Sequence, residues 1–218
     1  MTTDTSATQQ AYVALRRMIV TGEVRPGEKL KIEGLRHRLQ TGASPIREAL
    51  SLLTSDNLVE RLDQRGFRAT PTSRANFEEI LLLRCELEDM ALRQSIANRS
   101  QGWEETVVVS HHRMMRAQAT DRAVFEDLHK AFHMALLANS ESPILLKFCS
   151  QLYDLNIRYR YLAGRALNYT QRDVSQEHRS IMEAAISGDA ETASTHLLSH
   201  YRETGAFLVG LLDEAQLG

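Results

Sequence analysis

The chain has 218 residues, a net charge of −2 and 43% hydrophobic residues, enough for packed cores and, at this length, for two small domains. No apolar run reaches the roughly 18 residues that a membrane span needs, and the polar stretch Met1 to Gln10 lacks a signal-peptide core, so nothing targets the chain outward. The overall charge does not advertise nucleic-acid binding, but its distribution does. The first 73 residues hold nine Arg and two Lys against eight acids, a net of +3, and leave −5 to the rest. Cys85 and Cys149 sit in apolar helical patterns without paired spacing, which reads as reduced core thiols in a cytoplasmic protein.

In chain order, residues 1–9 read as a disordered polar leader. From Gln10, the stripe Tyr12, Leu15, Met18 and Ile19 predicts a scaffold helix ending at Gly22, with Arg16 and Arg17 on the other side as either solvated charges or phosphate contacts. Ile32, Leu35 and Leu39 predict a short second helix, stopped at Thr41, Gly42 and Ala43. Ser44 then reads as an N-cap with Pro45 in the first turn, opening a third helix that buries Ile46, Leu50 and Leu53 and turns Ser44, Arg47 and Ser51 outward. VERLDQRGFRATP suits a two-stranded hairpin around Gly66 with Arg65 and Arg68 at its tip. Helix, turn, helix and basic hairpin predict a winged helix-turn-helix. A short linker at Pro71 to Ser73 closes a domain of residues 1–73. Residues 74–218 carry no strand signal and predict an all-helical bundle of about six helices, near 75–98, 103–119, 122–139, 142–166, 171–187 and 189–214. The fold class is mainly α.

The runs GEVRPGEKL and SPIREALSLLTSDNLVERLDQRGFRA closely resemble the DNA-binding domain of GntR-type bacterial transcription regulators, over about Ala11 to Pro71. The order of Arg84 and Glu88, HKAFHMALL, LYDLNIRYRYL, EHRSIMEAAISGDAETA and the late LLSHY resembles FCD, the helical effector-binding domain of the FadR branch, most of all its CsiR-type subgroup. The resemblance implies a homodimeric repressor that binds double-stranded operator DNA and is released by a small organic acid. Ser44, Arg47, Arg65, Gly66 and Arg68 are the expected DNA contacts, with Arg47 foremost. Many relatives have an arginine where this chain has Ala43, so one base contact is missing.

His129 and His133 share a helical face, and His178 and His200 fall on two later helices, a spacing that can bring four imidazoles together inside a bundle. Four nitrogen ligands suit a divalent ion such as Zn or Ni; the other reading is of histidines satisfied within amphipathic helices. The resemblance implies three of these ligands, His133, His178 and His200, and places His129 where the family usually has Asp. His196 is a substitute ligand, Glu126 and Asp127 are solvated or supporting groups, and His37, His111 and His112 are expected to be exposed. Arg84, in an apolar run, requires a partner: Glu88 one turn on, or a ligand carboxylate. Of Arg158, Tyr159 and Arg160, the pocket residues are expected to be Tyr159 or Arg160 and the surface residue Arg158. The rival reading is a metal-dependent hydrolase using the histidines, but four protein ligands fill a tetrahedral site, and neither a nucleophile elbow nor a phosphate loop is present.

Overall fold

The structure, a computed structural model, describes residues 6–117, 122–163 and 172–216. It divides into two compact units, Met1–Phe77 with Asp154–Gly164, and Glu78–Tyr153 with Arg165–Gly218.

In the first unit, α1 spans Ala7–Val20 and starts earlier than expected, because the Ser6 hydroxyl accepts the Gln9 amide at 3.2 Å and caps it. The expected leader is thus helical from Ala7, and residues 1–5 of it lie outside the described residues. Its stripe of Ala11, Leu15, Met18 and Ile19 packs against α3 (Ala43–Ser55), which buries Ile46, Ala49, Leu50 and Leu53. Between them α2 (Ile32–Leu39) buries Leu35 and ends on Gln40 in the left-handed conformation. Ser44 is not the N-cap: Gly42 holds that place without a side-chain bond, and the Ser44 hydroxyl instead donates to Glu48 at 3.1 Å.

The wing has three strands rather than two. Strands β2 (Val59–Leu62) and β3 (Gly66–Ala69) form the expected hairpin, with Gly66 at φ +90° in its turn, and the two-residue β1 (Lys29–Leu30) pairs antiparallel on the other side of β3. Tyr159 belongs to this unit: its ring lies 4.9 Å from that of Phe77, and its hydroxyl donates to Asn76 Oδ1 at 2.8 Å.

Among its described residues the second unit has the α-helices α4 (Arg74–Ala97), α5 (Gln101–Arg116), α6 (Arg122–Leu137), α7 (Pro143–Leu162), α8 (Val174–Ser187) and α9 (Ala190–Gln216). The opening turn of α4 and the later half of α7 belong to the first unit. Side-chain caps start α5 at Ser100 and α8 at Asp173, and Gly188, at φ +84°, ends α8. The expected breaks at Thr120 to Asp121 and Asn168 to Gln171 lie outside the described residues. The core gathers Leu92, Ile96, Trp103, Met114, Phe132 and Leu197, with Cys85 and Cys149 buried and unpaired. Burial pushes the Cys149 thiol up to about 12. No helix among the described residues is long and apolar enough to cross a membrane.

Candidate functional site

The 3.6-residue period of α6 stacks His129 over His133, while α8 and α9 supply His178 and His200. All four are buried, and one ring nitrogen from each lies within 4.8 Å of the others. His129 Nε2 is 3.1 Å from His178 Nε2 and 3.2 Å from His133 Nε2. In a tetrahedral site, metal–nitrogen bonds of roughly 2.0–2.1 Å set ligand nitrogens roughly 3.3–3.4 Å apart, so these two separations are close to those of ligands on one ion.

The outer ring nitrogens explain why the inner ones can serve as ligands. Tyr201 spends its one hydroxyl proton on Glu88, so its 2.9 Å contact with His133 Nδ1 requires the imidazole N–H to donate there. His200 Nδ1 donates to Glu177 Oε2 at 2.7 Å. In both rings the lone pair is left on Nε2, the arrangement that metal-binding histidines adopt. Glu177 is also held by Arg172 at 2.5 Å. Burial opposes its ionisation, but the bonds from His200 and Arg172 outweigh that and lower its pKa. The Tyr153 hydroxyl meets His129 Nδ1 at 2.5 Å. The four-histidine cluster could therefore hold a divalent ion.

Beside it lies a second buried group. Arg84 and Glu88 form a bidentate pair at 2.6 and 3.2 Å, and the guanidinium carbon lies 4.2 Å from the centre of the Tyr201 ring and 5.0 Å from that of Tyr153. Burial works against the guanidinium charge, but the Glu88 carboxylate prevails and raises its pKa. Burial, reinforced by Glu88, likewise raises that of the Tyr201 hydroxyl.

The structure brings Arg84, Glu88 and the four histidines into one unit and places Tyr159 and Arg160 in the other. Two surface expectations need correction, and a third residue takes the supporting rather than the solvated of its two expected places. Arg158 is 3% exposed, and its neighbours Asn156, Ile157 and Tyr159 are buried too, so this turn of α7 is covered on more than one side. His111 is 8% exposed, its ring edge-on to Phe132 at 5.3 Å. Glu126 is buried, with a carboxylate oxygen 3.9 Å from His129 Nδ1, whereas Asp127, His37, His112 and His196 are exposed. Sequence reasoning missed Tyr153, Tyr201, Glu177 and Arg172 as supports of the histidines. Only Glu177 and Tyr201 carried a signal, each being the sequence neighbour of a ligand candidate.

In the first unit Ser44, Arg47, Arg65 and Gly66 are exposed. Glu48, the acid one residue after Arg47, accepts from Ser44 and from Thr8 at 2.8 Å. Arg68 pairs with Glu60 across the hairpin at 2.6 Å, and Arg16 bonds Asp154 at 3.0 Å, which leaves Arg17 as the exposed member of its pair.

A winged helix with exposed basic side chains, followed in the chain by a helical bundle with an interior ligating cluster, defines a DNA-binding regulator with a sensory domain. Two family profiles match: bacterial regulatory proteins of the gntR family over residues 7–68, and the FCD domain over residues 79–203. The chain belongs to the GntR family of bacterial regulators, in the branch that carries an FCD domain. It is 36% identical over 202 residues to the uncharacterized HTH-type transcriptional regulator BphR of Paraburkholderia xenovorans (strain LB400), covering 89% of this chain and 82% of that protein. It is 30% identical over 197 residues to the HTH-type transcriptional repressor GlaR of Escherichia coli (strain K12), covering 87% and 90%. The solved structure of E. coli McbR/YncC shares the fold with a TM-score of 0.82 at 23% identity, covering 93% of this chain and 97% of that one. The protein is a transcription regulator, and the hydrolase reading falls with that membership.

Proposed function

We propose that the chain is a cytoplasmic, homodimeric repressor whose hold on its operator is released when a small organic acid binds the helical bundle. The observation that carries this reading is the adjoining pair of buried groups: four imidazoles with converging nitrogens, and a guanidinium fixed by Glu88. A divalent ion, Zn or Ni, bound by His129, His133, His178 and His200 would give the site a positive charge that neutral ligands leave unbalanced, and a carboxylate answers it. Arg84 supplies the second anchor and Glu88 orients it, which favours short hydroxy acids or dicarboxylates. Five-carbon diacids of the glutarate type follow from the likeness to the CsiR-type subgroup. The repressor name of the GlaR relative supports the direction of control.

Residues 1–73 form the DNA-binding domain, with Ser44 and Arg47 in the major groove and Arg65, Gly66 and Arg68 against the minor groove or backbone. Residues 74–218 bind the effector and dimerise. Leu82, Leu83 and Met90 on α4 and Ile144 and Phe148 on α7 are large apolar side chains left exposed in the single chain, and a second copy would cover them. Tyr159 and Arg160, assigned to the first unit, are left out of the effector site.

The test is metal analysis of the purified protein, then a thermal-shift screen of organic acids with and without chelator, repeated on Arg84→Ala and His178→Ala. An acid that stabilises the wild type, loses its effect in both variants and on chelation, and releases operator DNA in a gel shift is the expected result. If no acid stabilises the wild type, or if stabilisation survives both chelation and Arg84→Ala, the reading is wrong.

A further inference from the structure

An open groove of about 410 Å³ lies between α5 and α8, away from the ligating nitrogens of the histidine cluster. One face of α5 supplies Val108, His111, His112 and Met115, at the spacing of a single helical stripe, and α8 supplies Arg179, Met182 and Glu183. Among the described residues, the ring contacts of His111 reach the cluster through Phe132, whose ring lies 5.5 Å from that of His133 and 5.6 Å from that of His178. The groove is therefore a separate place on the second unit, and its size falls within the range of small-molecule sites, roughly 300–1,000 Å³.

Two features set it apart from an ordinary helix–helix seam. His111 is 8% exposed, and its Nε2 is enclosed with no hydrogen-bond partner among the described residues, a cost that a packed seam would normally avoid. Arg179 and Glu183, one turn apart with Cβ atoms roughly 5–6 Å from each other, make no side-chain hydrogen bond or ion pair among the described residues. The groove thus presents one cation and one anion side by side, and Val108, Met115 and Met182 add an apolar lining whose thioethers adapt to varied shapes.

We propose that this groove is a second ligand site, for a small zwitterion with an apolar side chain: an α-amino acid of the leucine or methionine kind. Its carboxylate meets Arg179, its ammonium meets Glu183, and its side chain lies on the methionines beside His111. A plain carboxylic acid would face the Glu183 carboxylate, and a plain amine would face Arg179, so the paired charges select against both. The site does not depend on a metal or on the acid effector.

The experiment titrates the full-length, chelator-treated protein with L-leucine, L-methionine, L-valine and L-phenylalanine, following ring signals of ¹³C-labelled histidine by NMR, with His111 assigned through His111→Gln. N-acetyl-L-leucine and L-leucinamide each delete one ligand charge, and Arg179→Gln and Glu183→Gln each delete one protein charge on an exposed side chain. Expected are a saturable His111 shift with a dissociation constant on the order of 1 mM, and a loss of about tenfold or more in each of the four deletions. No His111 shift with any of the four amino acids up to about 20 mM overturns the site. Affinity that survives either protein variant, or either charge-deleted ligand, within about twofold makes the occupant something other than a zwitterion and overturns the assignment.

Discussion

Replacing Glu88 by glutamine isolates the buried guanidinium of Arg84 with almost no change of shape. Glu88 is 1% exposed and Arg84 5%, and the carboxylate takes three donors: Arg84 Nε at 2.6 Å, Arg84 Nη2 at 3.2 Å and the Tyr201 hydroxyl. An amide can accept through one oxygen only, so its NH₂ group must face one of those donors and the cation loses its counter-charge. Breaking one side of a buried pair costs about 3–5 kcal/mol. At roughly 2–4 °C per kcal/mol for a chain of this size, the melting temperature should fall by about 6–20 °C. The control is Arg84→Met combined with Glu88→Leu, which removes both charges and fills the space; such replacements are often neutral, so the double variant should melt above the single one. Thermal unfolding followed by circular dichroism at pH 7, with urea titration as a second measure, reads both. A Glu88→Gln protein melting within about 2 °C of wild type, or a double variant melting below the single, would refute the account of Arg84 as a charge held by Glu88. Partial recovery of Glu88→Gln on adding an organic acid is the added sign that Arg84 can take a carboxylate from solution.

Tyr201→Phe removes the acceptor for His133 Nδ1–H and should weaken divalent-ion affinity about 10–100-fold in competition with a chromophoric chelator; affinity within twofold of wild type would mean that this hydroxyl does not tune the ligand. Arg47→Ala removes an exposed guanidinium whose neighbouring acid is already engaged, so it should weaken operator binding and reduce the salt slope by about one while leaving the melting temperature unchanged. Burial lowers the pKa of His111 from 6.5, helped by Arg179 and His112 and opposed by Glu183. The stability tied to its neutral ring is therefore complete above about 6.5 and lost as pH falls through the folded-state value; urea unfolding at pH 7.5 and 5 should show a smaller loss for His111→Phe than for wild type.

The elements that the sequence made legible are those set by local spacing. The stripes of α1 to α3, the hairpin at Gly66 and the pairing of His129 with His133 each follow from a 3.6- or 2-residue period within one segment. Strand β1 was not legible, because two residues carry no period and their strand state exists only through pairing with Arg68 and Phe67 of β3. The start of α1 was missed because a single serine cap is a weak signal in a polar stretch. Ser44 misled for the opposite reason: a good capping residue sits at the second helical position because Gly42, one residue past the Thr41 stop, already has the extended backbone that a cap requires. The burial of Arg158 and His111 was out of reach, since it depends on which helix covers which face. The gathering of His178 and His200 with the α6 pair was allowed by their spacing, and the family resemblance favoured it over histidines satisfied singly within their helices.

What periodicity could not supply is the chain of bonds that links the two buried groups of the second unit. Arg84 holds Glu88 as a carboxylate, Glu88 takes the Tyr201 proton, and Tyr201 can then only accept from His133. The tautomer of one ligand candidate is thereby fixed by a cation three residues away along this chain of bonds, on a different helix. A carboxylate that drew Arg84 toward itself would loosen Glu88, and with it the bond that keeps the His133 lone pair on Nε2. Arg84 would then act on the cluster as well as on a bound carboxylate, and binding at either group would change the other by the same free energy, as linkage requires. That reciprocity makes a buried ion pair beside a histidine cluster more useful to a sensor than two separate anchors would be.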